Sequence, residues 1–383
     1  MRIAIFAGYY QPHVGGYCKN IHELAKRLAD RGEEIDVFTS NTEKAPENEV
    51  IDRVNIIRLP LLAHIGGIMP VVQFSPQQLR MPPHDVVVTQ TRFFPTTLVG
   101  ALYARVRGIP LIHVERGSLH TILPNPTLTK AARSYDHTIG KSVMKQATYT
   151  VGISRAASAF IRHLYPQASP QTIHNGIMIP EKMHSSNGFG EPTIIYTGRL
   201  VYAKGVQDLI AAFDRLARDN VRLLIIGDGP YRQKLEEQVD GLRLHKRLKV
   251  KFLGEIPQSD ILEKLLEADI FVNPSYSEGL PTTVMEAASV GLPIAATDVG
   301  GTNEIIESGY SGILLEPHNI TQMYRALEAL LQYTNKSALM GQRARAIAHT
   351  FSWKEITRTW IDLLHNVERD YRNKKAGVTV GGK

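Results

Sequence analysis

The chain has 383 residues, 43% hydrophobic and 21% charged, proportions of a soluble globular protein long enough for two domains. Its single cysteine, Cys18, excludes an intrachain disulfide and any cysteine-based zinc site and fits a reducing compartment. The net charge of +7 lies wholly in residues 1–180, which hold 19 Lys and Arg against 12 Asp and Glu, while the remainder holds 25 of each. Such asymmetry points either to an anionic partner for the first half or to solubility alone.

Arg2 to Ala7 is a short apolar run that reads as a buried first strand, too soon broken to be a signal peptide. A loop from Gly8 to Gly16 follows, and Ile21, Leu24, Ala25 and Leu28 then recur at helical spacing. Cys18 falls near that helix start, where a thiol pKa can drop, but no base or third group accompanies it, so a small buried thiol is expected. Strands are expected at Ile35–Phe38, Asp85–Thr89 and Pro110–Val114. Residues 59–74 are uncharged but contain Pro60, Pro70 and Gly66-Gly67. They fall short of the ~20 apolar residues of a spanning helix, so no transmembrane segment is expected there, only an apolar surface loop.

The pattern restarts after residue 190. Pro192–Thr197, Arg222–Ile226, Val250–Leu253, Ile270–Asn273 and Pro293–Thr297 read as strands, with a helix at Val206–Ala217. Strands alternating with helices mean doubly wound α/β layers. The expected division is a first domain at 1–175, a linker at 176–191 and a second domain at 192–352. A helix at 353–372 and a loose tail at 373–383 complete the chain. Ser352 and Glu355 have the spacing of a capping box, and Ile356, Trp360, Leu363, Leu364, Val367 and Tyr371 line one face of the helix after it.

Several clusters carry chemistry. Gly15 and Gly16 precede the first long helix and permit backbone approach to a ligand. The order G-x-G-x-x-G is absent, so a nicotinamide-binding fingerprint is not supported. Gly198 and Gly205 flank Arg199 and Lys204 in YTGRLVYAKG. Two cations on a glycine-rich loop can clamp a diphosphate and stabilise its growing charge without a metal. The string NPSYSEGLPTTVMEAASVGLP, Asn273 to Pro293, says most. Glu278 and Glu286 bracket Gly279, Leu280, Pro281, Thr282 and Thr283 at a loop-to-helix junction. A helix start suits a phosphate, and carboxylates before and after it can meet hydroxyls on either side. That is the layout a nucleotide sugar needs.

This string resembles the E-x7-E signature of the retaining glycosyltransferases of family 4, and the resemblance extends over nearly the whole chain. It implies the GT-B fold: two facing Rossmann-like domains, a cleft between them, and a C-terminal helix crossing back to the first domain. It also implies transfer of a hexosyl unit from a nucleoside-diphosphate sugar to an acceptor hydroxyl in glycan, glycolipid or cell-surface polysaccharide assembly. By that resemblance Arg199 and Lys204 hold the diphosphate, Glu278 the donor sugar and Glu286 the ribose. Leu280 to Thr283 hold the distal phosphate, and the Gly15-Gly16 loop faces donor phosphates and acceptor. Gly254, ending a strand, and backbone near Glu255 and Ile256 lie where the base is read. In Glu115-Arg116-Gly117-Ser118-Leu119-His120 the family reads E-H-G-x-x-H; His120 matches the histidine facing donor sugar and acceptor. Arg116 replaces a histidine, which puts the acceptor contacts in question and offers a cation to an acceptor phosphate. His174-Asn175-Gly176 reads as a hinge.

No cofactor and no metal are expected beyond the co-substrate, a UDP- or GDP-hexose. The expected acceptor is a glycan or lipid-linked molecule, with an anionic membrane surface as an optional partner and no nucleic acid. The expected location is cytoplasmic, optionally peripheral on the inner membrane face. A nucleotide-sugar 2-epimerase of similar fold would share the diphosphate site, but the E-x7-E string argues against it. A silent sugar-nucleotide-binding subunit would lose the clamp, and the clamp residues are all present.

Overall fold

A computed structural model describes all residues except Val14, 66–68, 76–80, 122–125, 185–189 and 376–383. The chain divides into two compact units, Met1–Gly176 with Trp353–Lys383, and Ile177–Ser352.

Ten strands belong to the first unit: β1 Arg2–Phe6, β2 Glu34–Ser40, β3 Asn48–Ile51, β4 Val54–Leu59, β5 Leu61–Ile65, β6 Met69–Val72, β7 Val86–Gln90, β8 Leu111–Glu115, β9 Tyr149–Gly152 and β10 Gln171–Thr172. Eight form one sheet in the order β10-β9-β8-β7-β1-β2-β4-β3, parallel except for the β3–β4 pair. VVVTQ and LIHVE of β7 and β8 are buried throughout. That is what a parallel sheet covered on both faces demands, and why these strands read as continuous apolar runs. The order reverses between β1 and β7, so the loops leaving their carboxyl ends flank a switch-point crevice, the usual ligand position in such a sheet.

The apolar stretch after Leu59 is a hairpin, not the expected loop. β5 and β6 pair antiparallel, with Leu62 and Ile65 exposed and Met69 and Val72 buried. Alternation is too short and too proline-interrupted there to announce a strand. Gly66 and Gly67 lie outside the described residues. Among the described residues no helix is long and apolar enough to cross a membrane.

The second unit has β11 Thr193–Thr197, β12 Arg222–Ile226, β13 Val250–Gly254, β14 Ile270–Asn273, β15 Ile294–Thr297 and β16 Ile313–Leu315. They form one parallel sheet in the order β13-β12-β11-β14-β15-β16. Its switch point lies between β11 and β14. The helix Val206–Arg215 buries Val206, Leu209, Ile210, Ala212 and Phe213 in the core of this unit, ending two residues before the expected Ala217.

The helix Trp353–Lys375 belongs to the first unit, as expected. It packs on the helix Gly16–Ala29 and β7. Tyr149 donates to Asp370 at 2.7 Å and Tyr371 to the Gly108 carbonyl at 2.7 Å. The helix continues through Asn373, Lys374 and Lys375, so the tail counted as loose from Asn373 begins in helix; 376–383 lie outside the described residues. Cys18 is buried in the helix that starts at Gly16, and desolvation pushes its thiol up to about 12. Burial outweighs the helix start, and the thiol is inert, as the missing base implied.

Candidate active site

In the second unit, the loops leaving β11 and β14 bring two of the expected residues together. Lys204 Nζ donates to Glu278 Oε1 at 2.7 Å. Ser275 Oγ, with one proton to donate, stands 2.7 Å from the same oxygen and 2.6 Å from Asn273 Oδ1, and Thr297 Oγ1 donates to the Ser275 carbonyl. The sequence reading put the lysine on phosphate and the glutamate on sugar as separate agents; the fold joins them as an ion pair. Two glycines let the loops approach. Gly205 has φ 67°, and a Cβ there would stand 2.0 Å from the Pro274 carbonyl oxygen. Gly300 has φ 58°, and a Cβ there would stand 2.0 Å from the Glu278 carbonyl oxygen. No side chain fits either gap. Arg199, next to Gly198, is exposed, and among the described residues no carboxylate lies within ion-pair distance of its guanidinium.

Pro281 stands just before the helix Thr282–Val290, whose first N–H groups lack intrahelical acceptors. Along that helix only Thr282, Thr283 and Glu286 are partly exposed; every other residue is buried. Spacings of three and four place these on one face. Glu286 Oε1 accepts from Gln258 Nε2 at 3.1 Å. Gly279 accepts from the Gly301 N–H at 2.9 Å, and Leu280 is buried. Gly254 ends β13, its carbonyl accepting from Gly227 at 2.8 Å. Ile256, two residues on, is half-buried. The fold also supplies neighbours that no motif announced: Tyr276 donates to Asp208 at 2.9 Å and stacks on His318, ring centroids 3.6 Å apart.

In the first unit, Arg116 and His120 leave the end of β8 with different partners. Arg116 Nε donates to Gln90 Oε1 at 2.8 Å, and its Nη1 donates to Asn175 Oδ1 at 3.0 Å and Asn20 Oδ1 at 3.4 Å. The guanidinium lies 5.5 Å from the centre of the Tyr17 ring. Asn20 and Tyr17 belong to the helix that starts at Gly16, with Gly15 at its cap, so Arg116 and the Gly15-Gly16 loop come together. A Cβ at Gly15 would meet open space. Among the described residues no carboxylate is within ion-pair distance of Arg116. Burial lowers its pKa to about 10, against the raising influence of Tyr17, Cys18 and Glu115, so it stays charged at neutral pH. Asn175, read from sequence only as a hinge, is one of its anchors.

His120 Nδ1 donates to Asp136 Oδ2 at 2.7 Å. Asp136 also accepts from Arg92 Nε at 2.9 Å and Nη2 at 3.1 Å, and Arg92 Nη1 pairs with Glu115 Oε1 at 2.8 Å. Arg92, Glu115 and Asp136 are 2%, 0% and 0% exposed at their side chains, so this is a buried charge network whose members must remain paired. Burial would raise the Glu115 carboxyl, but Arg92, His113 and the Gly117 N–H outweigh it and hold it near 2. Arg92 and Asp136 escaped the sequence reading: they stand 44 residues apart in strings with no recognisable motif.

Residues 180–347 match the family described as glycosyl transferases group 1, and residues 14–179 match glycosyltransferase family 4. An uncharacterised glycosyltransferase of Methanocaldococcus jannaschii is 30% identical over 387 residues, covering 94% of this chain and 97% of that protein. The chain belongs to the group 1 glycosyl transferases. Solved structures agree on the fold of this glycosyltransferase. Sucrose-phosphate synthase from Thermosynechococcus elongatus superposes with a TM-score of 0.78 at 18% identity, covering 96% of this chain and 98% of that one. Anabaena HepE, solved in complex with UDP-glucose, gives 0.72 at 20% identity, covering 96% and 100%. The GT-B fold expected from the E-x7-E string is thereby established.

Proposed function

We propose that this glycosyltransferase moves a hexosyl unit from a nucleoside-diphosphate sugar to an acceptor hydroxyl with retention at the anomeric carbon and without a metal. The observation that carries the reading is the second unit's junction: an exposed Arg199 with no ion pair among the described residues, the Lys204–Glu278 pair, and a helix start whose accessible face is Thr282, Thr283 and Glu286. Arg199, Lys204 and the N–H groups after Pro281 offer positive potential to a diphosphate. Gly198, Gly279 and Leu280 line its path, Glu286 meets the ribose hydroxyls, and Gly254 and Ile256 present backbone to the base. A neighbour of the same fold was solved with UDP-glucose, which favours a UDP-hexose.

In the transfer, the bond from the anomeric carbon to the phosphate oxygen breaks and a bond from the acceptor oxygen forms on the same face. The acceptor proton passes to the departing phosphate oxygen. Charge accumulates on the diphosphate, where Arg199 and Lys204 stabilise it. Glu278 orients Lys204 through their hydrogen bond and accepts from a sugar hydroxyl. His120, its ring set by Asp136, keeps Nε2 for the acceptor.

The acceptor carries an anionic group, such as the phosphate of a lipid-linked sugar. Arg116 supports this: among the described residues its charged guanidinium is held by the neutral amide oxygens of Gln90, Asn20 and Asn175, which leaves capacity for an anion. Exposed Leu62 and Ile65 on the same basic unit suit contact with an anionic leaflet, where a cation near the surface contributes ~1 kcal/mol.

A thermal-shift panel of UDP, GDP and ADP with their sugars tests the donor, because a ligand of the native state raises its midpoint by mass action. Product anomeric configuration, read by NMR with EDTA present, tests retention and metal independence. An inverted product, or strict dependence on Mg²⁺ or Mn²⁺, overturns them. Failure to co-sediment with anionic vesicles at low salt, with equal transfer to soluble sugars, overturns the membrane reading.

A further inference from the structure

Three histidines converge on the first unit from separate elements. His120 lies on the loop after β8, His137 in a π-helical turn Asp136–Gly140, and His163 on the helix Arg155–Leu164. One ring nitrogen from each lies within 4.8 Å of the others. Their ring centroids are 5.2, 5.9 and 6.1 Å apart. A sequence reader sees three histidines scattered over 44 positions; only the fold gathers them.

The surroundings have the form of a ligand shell. Asp136 is buried, and its oxygens are occupied by donors from Arg92 and by His120 Nδ1. An ionised carboxylate only accepts, so His120 carries its proton on Nδ1 and keeps the lone pair of Nε2. A carboxylate behind one imidazole nitrogen, fixing the tautomer so that the other can coordinate, is the usual second layer of a histidine metal site. Phe160 meets the His120 ring edge-on at 5.1 Å, which limits how that ring turns, and lies 6.1 Å from the His163 ring. His137 and His163 are exposed while His120 is half-buried, so the cluster opens to solvent on one side. The helical run from Pro126 to Gln146 widens to a π-turn exactly where Asp136 must face inward and His137 outward, and such turns concentrate at functional sites.

We propose that His120, His137 and His163 form a site for a zinc-class divalent ion, and that filling it inhibits the enzyme. Three neutral imidazoles suit zinc, with bonds of ~2.0–2.1 Å and a fourth position left to water. Rotation of the two exposed rings closes the remaining distance to tetrahedral spacing. The inhibitory part rests on the transfer role given to His120: a metal on Nε2 withdraws that nitrogen from the acceptor.

Cobalt(II) titration of the untagged full chain, followed by its visible d–d absorption, tests the site without any assay of activity. One equivalent should bind with the intense bands of a tetrahedral ion, and zinc should displace it. His137→Ala and His163→Ala should each weaken binding at least tenfold. No stoichiometric binding, or unchanged affinity in both variants, overturns the site. Transfer assays then test its consequence. Zinc should inhibit the wild-type enzyme over the range that fills the site, while His163→Ala keeps its basal rate and loses that inhibition. Binding without inhibition overturns the regulatory half while leaving the site standing. A chain that shows no transfer with any donor sinks the functional reading, and the cobalt spectrum still decides the metal site.

Discussion

The first unit, Met1–Gly176 with Trp353–Lys383, carries 26 Lys and Arg against 16 Asp and Glu, a net +10. The second, Ile177–Ser352, carries 18 against 21, a net −3. Both are parallel sheets with a switch point, yet they build their candidate residues differently. The first buries an arginine between two carboxylates from distant parts of the chain and hangs His120 on the result. The second uses one contiguous string, a half-exposed lysine and a helix start. In the first unit the site and the stability of the fold are one network. In the second they are separable.

The largest expected effect breaks that contrast at its strongest point. Arg92→Met takes from the buried Glu115 and Asp136 the guanidinium they share, leaving them only His113, the Gly117 N–H and His120, a loss of roughly 3–5 kcal/mol. Both tryptophans of the chain, Trp353 and Trp360, lie on the helix of the first unit, so their fluorescence in urea follows that unit. A loss under about 1 kcal/mol would show that the network is not what holds the unit together.

Lys204→Met is the matching experiment in the second unit. Turnover should fall by ~10²-fold, the scale for one preorganised charge stabiliser, and Arg199→Ala should do the same. The stability change should stay within about 1 kcal/mol, because the Lys204–Glu278 pair is partly solvated. Circular dichroism during urea unfolding checks it, and a loss as large as that of Arg92→Met would erase the difference between the units.

Glu286→Ala should weaken UDP binding by ~1.5–3 kcal/mol, the cost of one charged hydrogen-bond partner, about ten- to a hundredfold in affinity. Calorimetric titration reads it directly; unchanged affinity removes Glu286 from the site and leaves the helix start alone on the donor.

The smallest expected effect is on acid stability. Glu115 is held near 2 in the folded chain, below its unfolded value of about 4.3. A depressed carboxyl stabilises above the unfolded pKa and loses that contribution as pH falls toward the folded one. Asp36, buried yet bonded by His84, Asn55 and Arg2, is also held near 2. The first unit should therefore lose roughly 1–1.5 kcal/mol per such group between about pH 4.5 and 3. Tryptophan fluorescence across that window, compared with Glu115→Gln, tests the assignment; an identical acid profile in the variant would contradict it.

How much of this was legible follows the range of the interactions. The strands of both sheets announce themselves as apolar runs because burial on both faces demands it, and β11, β12 and β14 read well for that reason. β3, β4, β5, β6, β9, β10 and β16 do not, being short, at edges or part-exposed, where tertiary pairing overrides local preference. Gly279 to Glu286 could be read as a phosphate-binding junction because loop, cap and helix face are consecutive in the chain.

By itself, then, the sequence determined the two α/β layers, the charge asymmetry and the E-x7-E string, all set by local periodicity and contiguous spacing, while the GT-B fold entered through the resemblance that string carries. Tertiary structure alone decided that Lys204 bonds Glu278, that Arg116 rests on Asn20, Gln90 and Asn175, and that Arg92 and Asp136 stand behind His120. It also brought His120, His137 and His163 to one point. Partners tens of residues apart leave no periodic trace along the chain; they become neighbours when the parallel sheet sets their loops side by side at its carboxyl edge.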